Sequence, residues 1–446
     1  MKIILTSLVM VFLSISTIAQ YSTLRQYEGL ITGGVGPTWI DGETYFSFYF
    51  RPEFEFSNFG IGLDLKLEFD SNGELREENF NEFSDYASII RYVRYGRKSD
   101  PVYVRLGSLD YTTLGHGSIM YFYNNSPSYD TRKIGLEFDI DFGLFGFETM
   151  YSNFARSGVA GIRGFLRPLK LSSAGSIPIL GNLEIGATFV GDFNEYAGVI
   201  SGEYDNDKDE FIIGEDLGNL TAYGLDVGLP VISGDVVDLE LYFDYAKLTD
   251  FGDGISTGFI LSFNGMGLVD AGLKFERRFN GENYIPSYFN SLYEIERFEY
   301  NKVTNTVYSK VQSLQVAESV GNGFYGELLV SVLNIFDILG SYQRLDDNPD
   351  SGILHFETDI SPVDASFVAR AGYDKINIKD EGDIFTLDDR SYLFTEIGYK
   401  PMEYLLVSLV YNWTFTPVRD SEDNIIDYKT QKKIEPRISF VYPISY

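Results

Sequence analysis

The 446-residue sequence has no cysteine, two histidines, two tryptophans and only 14 prolines. Without cysteine there is no disulfide, no thiolate nucleophile, no Cys-ligated zinc and no iron–sulfur cluster. Positive charge is scarce as well: 35 Lys and Arg stand against 65 Asp and Glu, a formal charge of -30. Nucleic-acid recognition needs a basic surface, and this composition does not supply one. After Gln20 no segment approaches the 18 or more uninterrupted apolar residues that a membrane-spanning helix requires, which excludes a helical bundle in a bilayer. A hydrophobic content of 44% excludes wholesale disorder, and 16% aromatics with 44 glycines favour β-structure with tight turns.

The N-terminus runs from Met1-Lys2 through an apolar stretch, Ile3 to Ile18, to small residues at Thr17 and Ala19. A basic start, a greasy middle and a small-residue end predict a secretory signal peptide over residues 1–19, cut after Ala19. The remainder, 20–446, reads as a single domain.

Periodicity sets the fold class. From Phe59 to Phe69 the odd positions are Phe59, Ile61, Leu63, Leu65, Leu67 and Phe69, while Gly60, Gly62, Asp64, Lys66 and Glu68 fill the even ones. The same alternation runs through Ile134 to Phe142, Leu183 to Phe193, Val237 to Tyr245, Ile255 to Phe263, Val269 to Phe279 and Leu405 to Phe415. A period of two makes strands with one apolar and one polar face. Segments of about ten residues suit a tilted strand crossing a bilayer better than an ordinary globular strand. Connections alternate between long (70–85, 111–130, 194–220, 280–322, 376–390, 416–432) and short (Phe142-Gly143-Leu144, Ser233-Gly234-Asp235, Gly265-Met266-Gly267, Ser361 to Asp364, Pro401-Met402). Carried back to Tyr27, this predicts an all-β fold: a transmembrane antiparallel up-and-down β-barrel of about 20 strands, range roughly 16–20, with long external loops and short periplasmic turns.

At the C-terminus Ile438, Phe440, Tyr442, Ile444 and Tyr446 alternate with Arg437, Ser439, Val441, Pro443 and Ser445. This end resembles the terminal strand of Gram-negative outer-membrane β-barrel proteins. The resemblance implies a porin-like or transporter-like barrel in the outer membrane, whose assembly machinery reads the aromatic Tyr446. Leu114-Gly115-His116-Gly117 and Tyr284-Ile285-Pro286-Ser287-Tyr288-Phe289-Asn290 also resemble segments of uncharacterised barrels of Bacteroidetes type, a likeness that brings no substrate with it.

Charged side chains on the polar faces cannot face lipid cheaply, so they are expected to line a hydrated lumen. The acidic candidates are Asp64, Glu68, Glu137, Asp139, Asp141, Asp238, Glu240, Asp244, Asp270 and Glu276, with Lys66, Lys274 and Arg278 on the same faces. A basic set, Arg91, Arg94, Arg105, Arg163 and Arg167, lies mostly on earlier strands. Two arrangements fit: facing ladders of opposite sign that set a field across a pore, as resemblance to general porins implies, or internal salt bridges that stiffen the wall. The loops 70–85, 194–220, 280–322, 376–390 and 416–432 hold 28 acidic and 10 basic residues, so the mouth is expected to favour cations. Tyr45, Phe46, Phe48, Tyr411, Trp413 and Tyr446 fit interfacial girdles.

Two further patterns carry less. Asp205, Asp207 and Asp209 alternate as in a calcium loop, but Glu210 and Asp216 stand where an EF-hand needs Gly and Glu, so a solvated acidic loop is the better reading. His116 and His355 are the only histidine bases, and a His/Ser pair around Leu114 to Ser118 lacks an evident third group. No catalytic residue and no cofactor is therefore assigned. The expected function is a channel passing small hydrophilic solutes by diffusion, with loop 280–322 as a constriction. A transporter for a lipid-like solute, or a non-conducting barrel anchoring a surface or secretion assembly, are the alternatives.

Overall fold

The computed structural model describes residues 30–76, 86, 89–98, 100–128, 132–265, 268–302, 304–317, 321–333, 335–360, 366–421 and 424–443. The predicted signal peptide, Tyr27, Met266-Gly267, Ser361 to Asp364 and Tyr446 lie outside these residues. The chain forms a closed antiparallel barrel of 20 strands. Phe59–Leu63 and Leu65–Phe69 are halves of one strand, since both pair with Glu43–Phe56. Each strand pairs with its sequence neighbours, and the ring closes where Leu30–Ile40 pairs with Ile425–Pro443.

The distribution of residues is inverted relative to a soluble sandwich. Leu225, Phe243, Phe275, Leu328, Leu409 and Ile438 are exposed on the outside, while Asp64, Glu137, Asp226, Asp244, Lys274 and Glu276 are buried inside. A sheet whose apolar face looks outward and whose ionised face looks inward is stable when the outside is hydrocarbon and closure leaves no unpaired edge.

Wall height is uneven. Ile90–Tyr95 and Val102–Gly107 have six residues, Gly135–Asp141 and Phe145–Tyr151 seven, and Val159–Leu166 eight. Elsewhere in the ring, Leu220–Ser233 has 14, Leu405–Arg419 15 and Ile425–Pro443 19. At about 3.3 Å per residue and a tilt near 40°, six to eight residues rise roughly 15–20 Å, short of the ~25 Å apolar band of such barrels.

Several connections differ from expectation. Residues 416–432 are mostly an extended hairpin, paired from Leu405↔Phe440 to Arg419↔Ile425, because strands continue above the bilayer where no apolar face is needed. Between Val237–Leu248 and Asp253–Asn264 the connection is only a turn at 249–252, although it lies at the long-loop end. At the short-turn end, 167–183 is an excursion with three 3-10 turns rather than a tight link. Most consequentially, 111–130 and 280–322 do not simply extend outward: much of each folds into the barrel.

Candidate functional site in the barrel lumen

The two inward segments meet in mid-lumen. Met120 bridges Phe289 in parallel, the Tyr121 amide donates to Phe289 O and the Phe289 amide to Ile119 O, both at 3.1 Å. Ser287 adds its amide to Ser118 O at 2.9 Å and its hydroxyl to Gly117 O at 3.0 Å. Thus the two segments singled out by sequence likeness are in contact. Gly115 and Gly117 have φ of +56° and +94°, and a Cβ on Gly117 would lie 2.0 Å from the Tyr121 ring, so glycine is required there.

An apolar cluster joins this plug to the wall. Leu114, Ile119, Met120, Tyr288, Phe289 and Tyr293 pack on wall residues such as Met150, Val190, Leu220 and Ala246. On the other side Ser128 bridges Phe415 and donates its hydroxyl to the Phe415 carbonyl at 2.8 Å, so the plug crosses the lumen.

Polar contacts fix its orientation. Lys274, fully buried, donates to His116 O at 2.5 Å and lies 4.2, 5.2 and 5.7 Å from the ring centres of Tyr121, Tyr325 and Tyr242. Tyr121 also donates to Glu327. Arg297 binds Asp192 and both oxygens of Glu294 at 2.6 Å, and Tyr293 donates to Asp192 at 2.7 Å.

The predicted charged residues divide into local networks, with acids and bases interleaved. Arg163 binds Glu148 at 3.0 Å, Glu184 at 2.8 Å and Asp226 at 2.6 Å, and Arg167 joins Asp141 to Glu184, both at 2.8 Å. Lys98 holds Asp139 at 2.8 Å and Glu137 at 3.4 Å. Arg105 pairs with Asp110 at 2.6 Å, Arg91 with Glu53 and Arg94 with Glu55. Asp64 is gripped by Arg51 and Arg132, and Glu68 by Lys433 at 2.6 Å and Arg76 at 3.3 Å. Glu276 accepts from Arg278 and, at 2.8 Å, from Tyr242. Asp238 and Asp270 instead sit by the short-turn end, accepting from the Gly234 and Gly265 amides at 3.2 and 2.9 Å. The pairs are local, several of them reaching across an intervening strand as Arg94–Glu55 and Arg163–Asp226 do, and do not form two segregated walls.

His116 and Ser118 do not form a hydrolytic relay. His116 Nδ1 lies 2.8 Å from Asp244 Oδ1, and Ser118 Oγ donates to Asp244 Oδ2 at 2.5 Å, so the carboxylate stands between them. A triad needs the imidazole between acid and nucleophile; here His116 Nε2 faces Glu240 at 3.6 Å. His355 meets Asp374 at 2.8 Å, a carboxylate shared with Ser291 and Tyr111.

The Asp205, Asp207 and Asp209 run forms an acidic turn. Asp205 accepts from the Asp207 amide at 3.0 Å, and Asp209 from the Tyr204 hydroxyl at 2.5 Å, at the tip of the hairpin Gly202–Asp205 and Glu210–Ile213. Among the described residues no group of three or more His, Asp or Glu is placed to hold a metal.

Sequence reasoning missed Glu148, Glu184, Asp226, Glu327 and Glu435. Asp226 had a visible signal, between the outward Leu225 and Val227. Arg297 and Glu294 had none, because their segment has no strand period.

The class that fold and lumen define is a membrane-spanning β-barrel with an internal plug. No family model and no curated protein matches the chain. Solved structures of similar architecture include Pseudomonas aeruginosa OccK5 (OpdH), 11% identical over 95% of this chain and 100% of that one, TM-score 0.30. Wzi, an outer-membrane protein involved in group 1 capsule assembly in Escherichia coli, is 9% identical over 94% of this chain and 85% of that one, TM-score 0.35. A ferric enterobactin receptor mutant (PfeA) from Pseudomonas aeruginosa is 8% identical over 93% of this chain and 82% of that one, TM-score 0.34. At such distances function has to be argued from this chain's own geometry.

Proposed function

We propose that the chain is an outer-membrane, porin-like channel for small hydrophilic solutes, non-enzymatic and without a cofactor, in which the inward segments form the constriction. The observation that carries this is the lumen: ionised rows such as Asp64–Arg51–Arg132, Glu68–Lys433–Glu435 and Lys98–Asp139 line a barrel whose exterior is apolar. Buried charges held in hydrogen-bonded networks favour a wetted wall over a lipid-filled one. The formal charge of -30 supports a preference for cations, acting over about a Debye length, ~8 Å at physiological salt. Signal-peptide removal near Ala19 and recognition of the Tyr446 strand by the assembly machinery complete the reading, on sequence grounds alone.

Single-channel recording in planar bilayers tests it. Discrete conductance steps, with reversal potentials in a KCl gradient showing cation preference that shrinks as salt rises, are the expected result. Anion preference would remove the charge argument, and absence of conductance would remove the channel. One observation favours a second reading in that case: the plug packs across the lumen from Met150 to Phe415, as suits a non-conducting barrel that anchors a surface assembly.

A further inference from the structure

One stretch of wall stops early on the short-turn side, and an irregular piece of chain stands where it stops. Glu184, the first residue of Glu184–Asp192, pairs with Gly228, yet the partner strand Leu220–Ser233 runs on to Ser233. Over Leu229 to Ser233 its sheet partner among the described residues is Val237–Leu248, on the other side. Five residues at about 3.3 Å each and a tilt near 40° amount to roughly 13 Å of height. That is enough to cover the shortfall of the low strands.

The segment 167–183 occupies this place. It leaves Val159–Leu166, turns three times and rejoins the wall at Glu184–Asp192, and its last turn, Leu180–Asn182, lies alongside Leu220–Ser233. The Arg167 amide donates to Leu144 O at 2.8 Å and Lys170 Nζ to Gly143 O at 2.9 Å, which ties its start to the neighbouring short turn. Its turns pack on one another through glycine: a Cβ on Gly181 would lie 2.3 Å from Gly175 O. It is a folded element.

Its surface is ill suited to water. Leu171 is 67% exposed, Ile177, Ile179 and Leu180 are exposed with it, and no Asp or Glu occurs between Arg167 and Leu183 although the chain has 65 of them. Ile179 has φ +72° and ψ -67°, and the Leu180 amide donates to Pro178 O at 2.9 Å, which is the rare, strained form of γ-turn at a β-branched residue. Strain that holds an apolar side chain outward points to something apolar that meets it. Exposed Phe145, Leu166 and Ile185 form one row across the adjoining strand ends, so the apolar surface of the segment continues the barrel's lipid-facing exterior.

We propose that 167–183 is an interfacial foot, lying in the bilayer boundary at the short-turn end with Leu171, Ile177, Ile179 and Leu180 among phospholipid acyl chains. An apolar surface of this kind settles about 5–10 Å into the boundary between headgroups and acyl chains. Lipid is the occupant because the surface is continuous with a face that lipid already covers. The foot supplies height that the short strands lack and shields the open side of Leu229 to Ser233, whose backbone groups need protein cover at membrane depth. The proposal rests on the barrel spanning a bilayer, whichever way the short turns face.

The absence of cysteine allows one label per chain. Ile179→Cys and Leu171→Cys on the foot, Leu225→Cys on the barrel exterior and Asp207→Cys on the exposed hairpin tip each take a nitrobenzoxadiazole fluorophore. The full chain is reconstituted into phosphatidylcholine vesicles with iodide on both sides, and heat-modifiability on a denaturing gel selects folded barrels. Iodide quenching at Ile179 and Leu171 should be about fivefold weaker than at Asp207, and a lipid spin label near the headgroup should quench both foot positions more than one deep in the acyl chain. If Ile179→Cys does not fold at its strained turn, Leu171→Cys carries the test. Iodide quenching as strong on the foot as at Asp207 would overturn the proposal. Protection from iodide without spin-label quenching would overturn it too, because a second copy of the chain would then cover the foot. Leu225 should be quenched by lipid spin labels in every case; loss of that signal would remove the spanning reading and the foot with it, so the two failures are distinguishable.

Discussion

Removing the Arg297 guanidinium should release the plug while leaving the barrel intact. Asp192, Glu294 and Arg297 are 0%, 3% and 7% exposed, so the carboxylates that Arg297→Gln strands have little water to turn to. Three charge-assisted hydrogen bonds at 2.6 Å disappear. Asp192 keeps Tyr293, and Glu294 keeps Tyr123 and Lys133, which places the loss toward the lower end of the range for a broken buried pair, about 3 kcal/mol. That is roughly a hundredfold change in the ratio of docked to released plug. The absence of cysteine gives a direct assay. Ser291→Cys places one thiol at a position 6% exposed within the plug, and its maleimide labelling rate reports release. Labelling should accelerate about a hundredfold in Ser291→Cys/Arg297→Gln over Ser291→Cys, and single-channel records should show new, larger openings. Equal labelling rates in two barrels that both remain heat-modifiable on a denaturing gel would refute the view that this ion cluster holds the plug.

Leu65→Arg or Phe138→Arg, on the lipid face, should cost about 2–4 kcal/mol in urea unfolding from bilayers, while Glu137→Gln, which keeps the side-chain shape and leaves Lys98 its nearer partner Asp139, should cost less and alter conduction instead; equal losses would mean misassigned faces. Neutralising Glu137, Asp139 and Asp141 together should reduce cation preference measured by reversal potential, most in dilute salt. Desolvation of its carboxyl, with Asp427 and Asp389 nearby, pushes Glu299 up to about 7 in the hairpin of Phe298–Asn301 with Thr306–Ser309. A carboxyl raised above its unfolded value binds protons more tightly when folded, so the hairpin should lose stability as pH rises from about 4.5 to 7. Protease protection of this segment should fall over that window and become flat in Glu299→Gln. Deleting Tyr446 should block insertion; normal heat-modifiable insertion would remove any role for that residue.

The barrel was legible because a period of two is local: Phe59 to Phe69 or Val269 to Phe279 announces its faces without knowing its neighbours. Alternation of connection lengths added the strand number, since both ends of the chain had to agree with it. What was not legible is long-range. His116 meets Asp244 and Tyr121 meets Glu327 across 128 and 206 residues, and a glycine-rich segment without periodicity says nothing about such partners. The hairpin at 416–432 has the sequence of a loop because its arms are polar, which is what strands become once they leave the apolar band. The segment 167–183 fell between templates: Pro168 and Pro178 interrupt its apolar residues, and its short turns have no characteristic period. For the charged residues, facing could be read but pairing could not, because register between strands decides which acid meets which base.

The seam between Leu30–Ile40 and Ile425–Pro443 joins the most distant parts of the described sequence. Its ladder runs from Leu30↔Pro443 to Val35↔Ile438 and resumes at Trp39↔Ile434, skipping Gly36 to Thr38, where Pro37 faces the stretch containing Pro436. Neither proline has an N–H to donate. A contact separated by some four hundred residues forms after local hairpins, and the chain has to carry two open edges until it does. This makes the seam the final clasp of biogenesis, and under mechanical load the interrupted ladder is where the ring should part first. Pulling on a single inserted barrel by force microscopy would then give a first rupture at this seam, with the remaining hairpins following one by one.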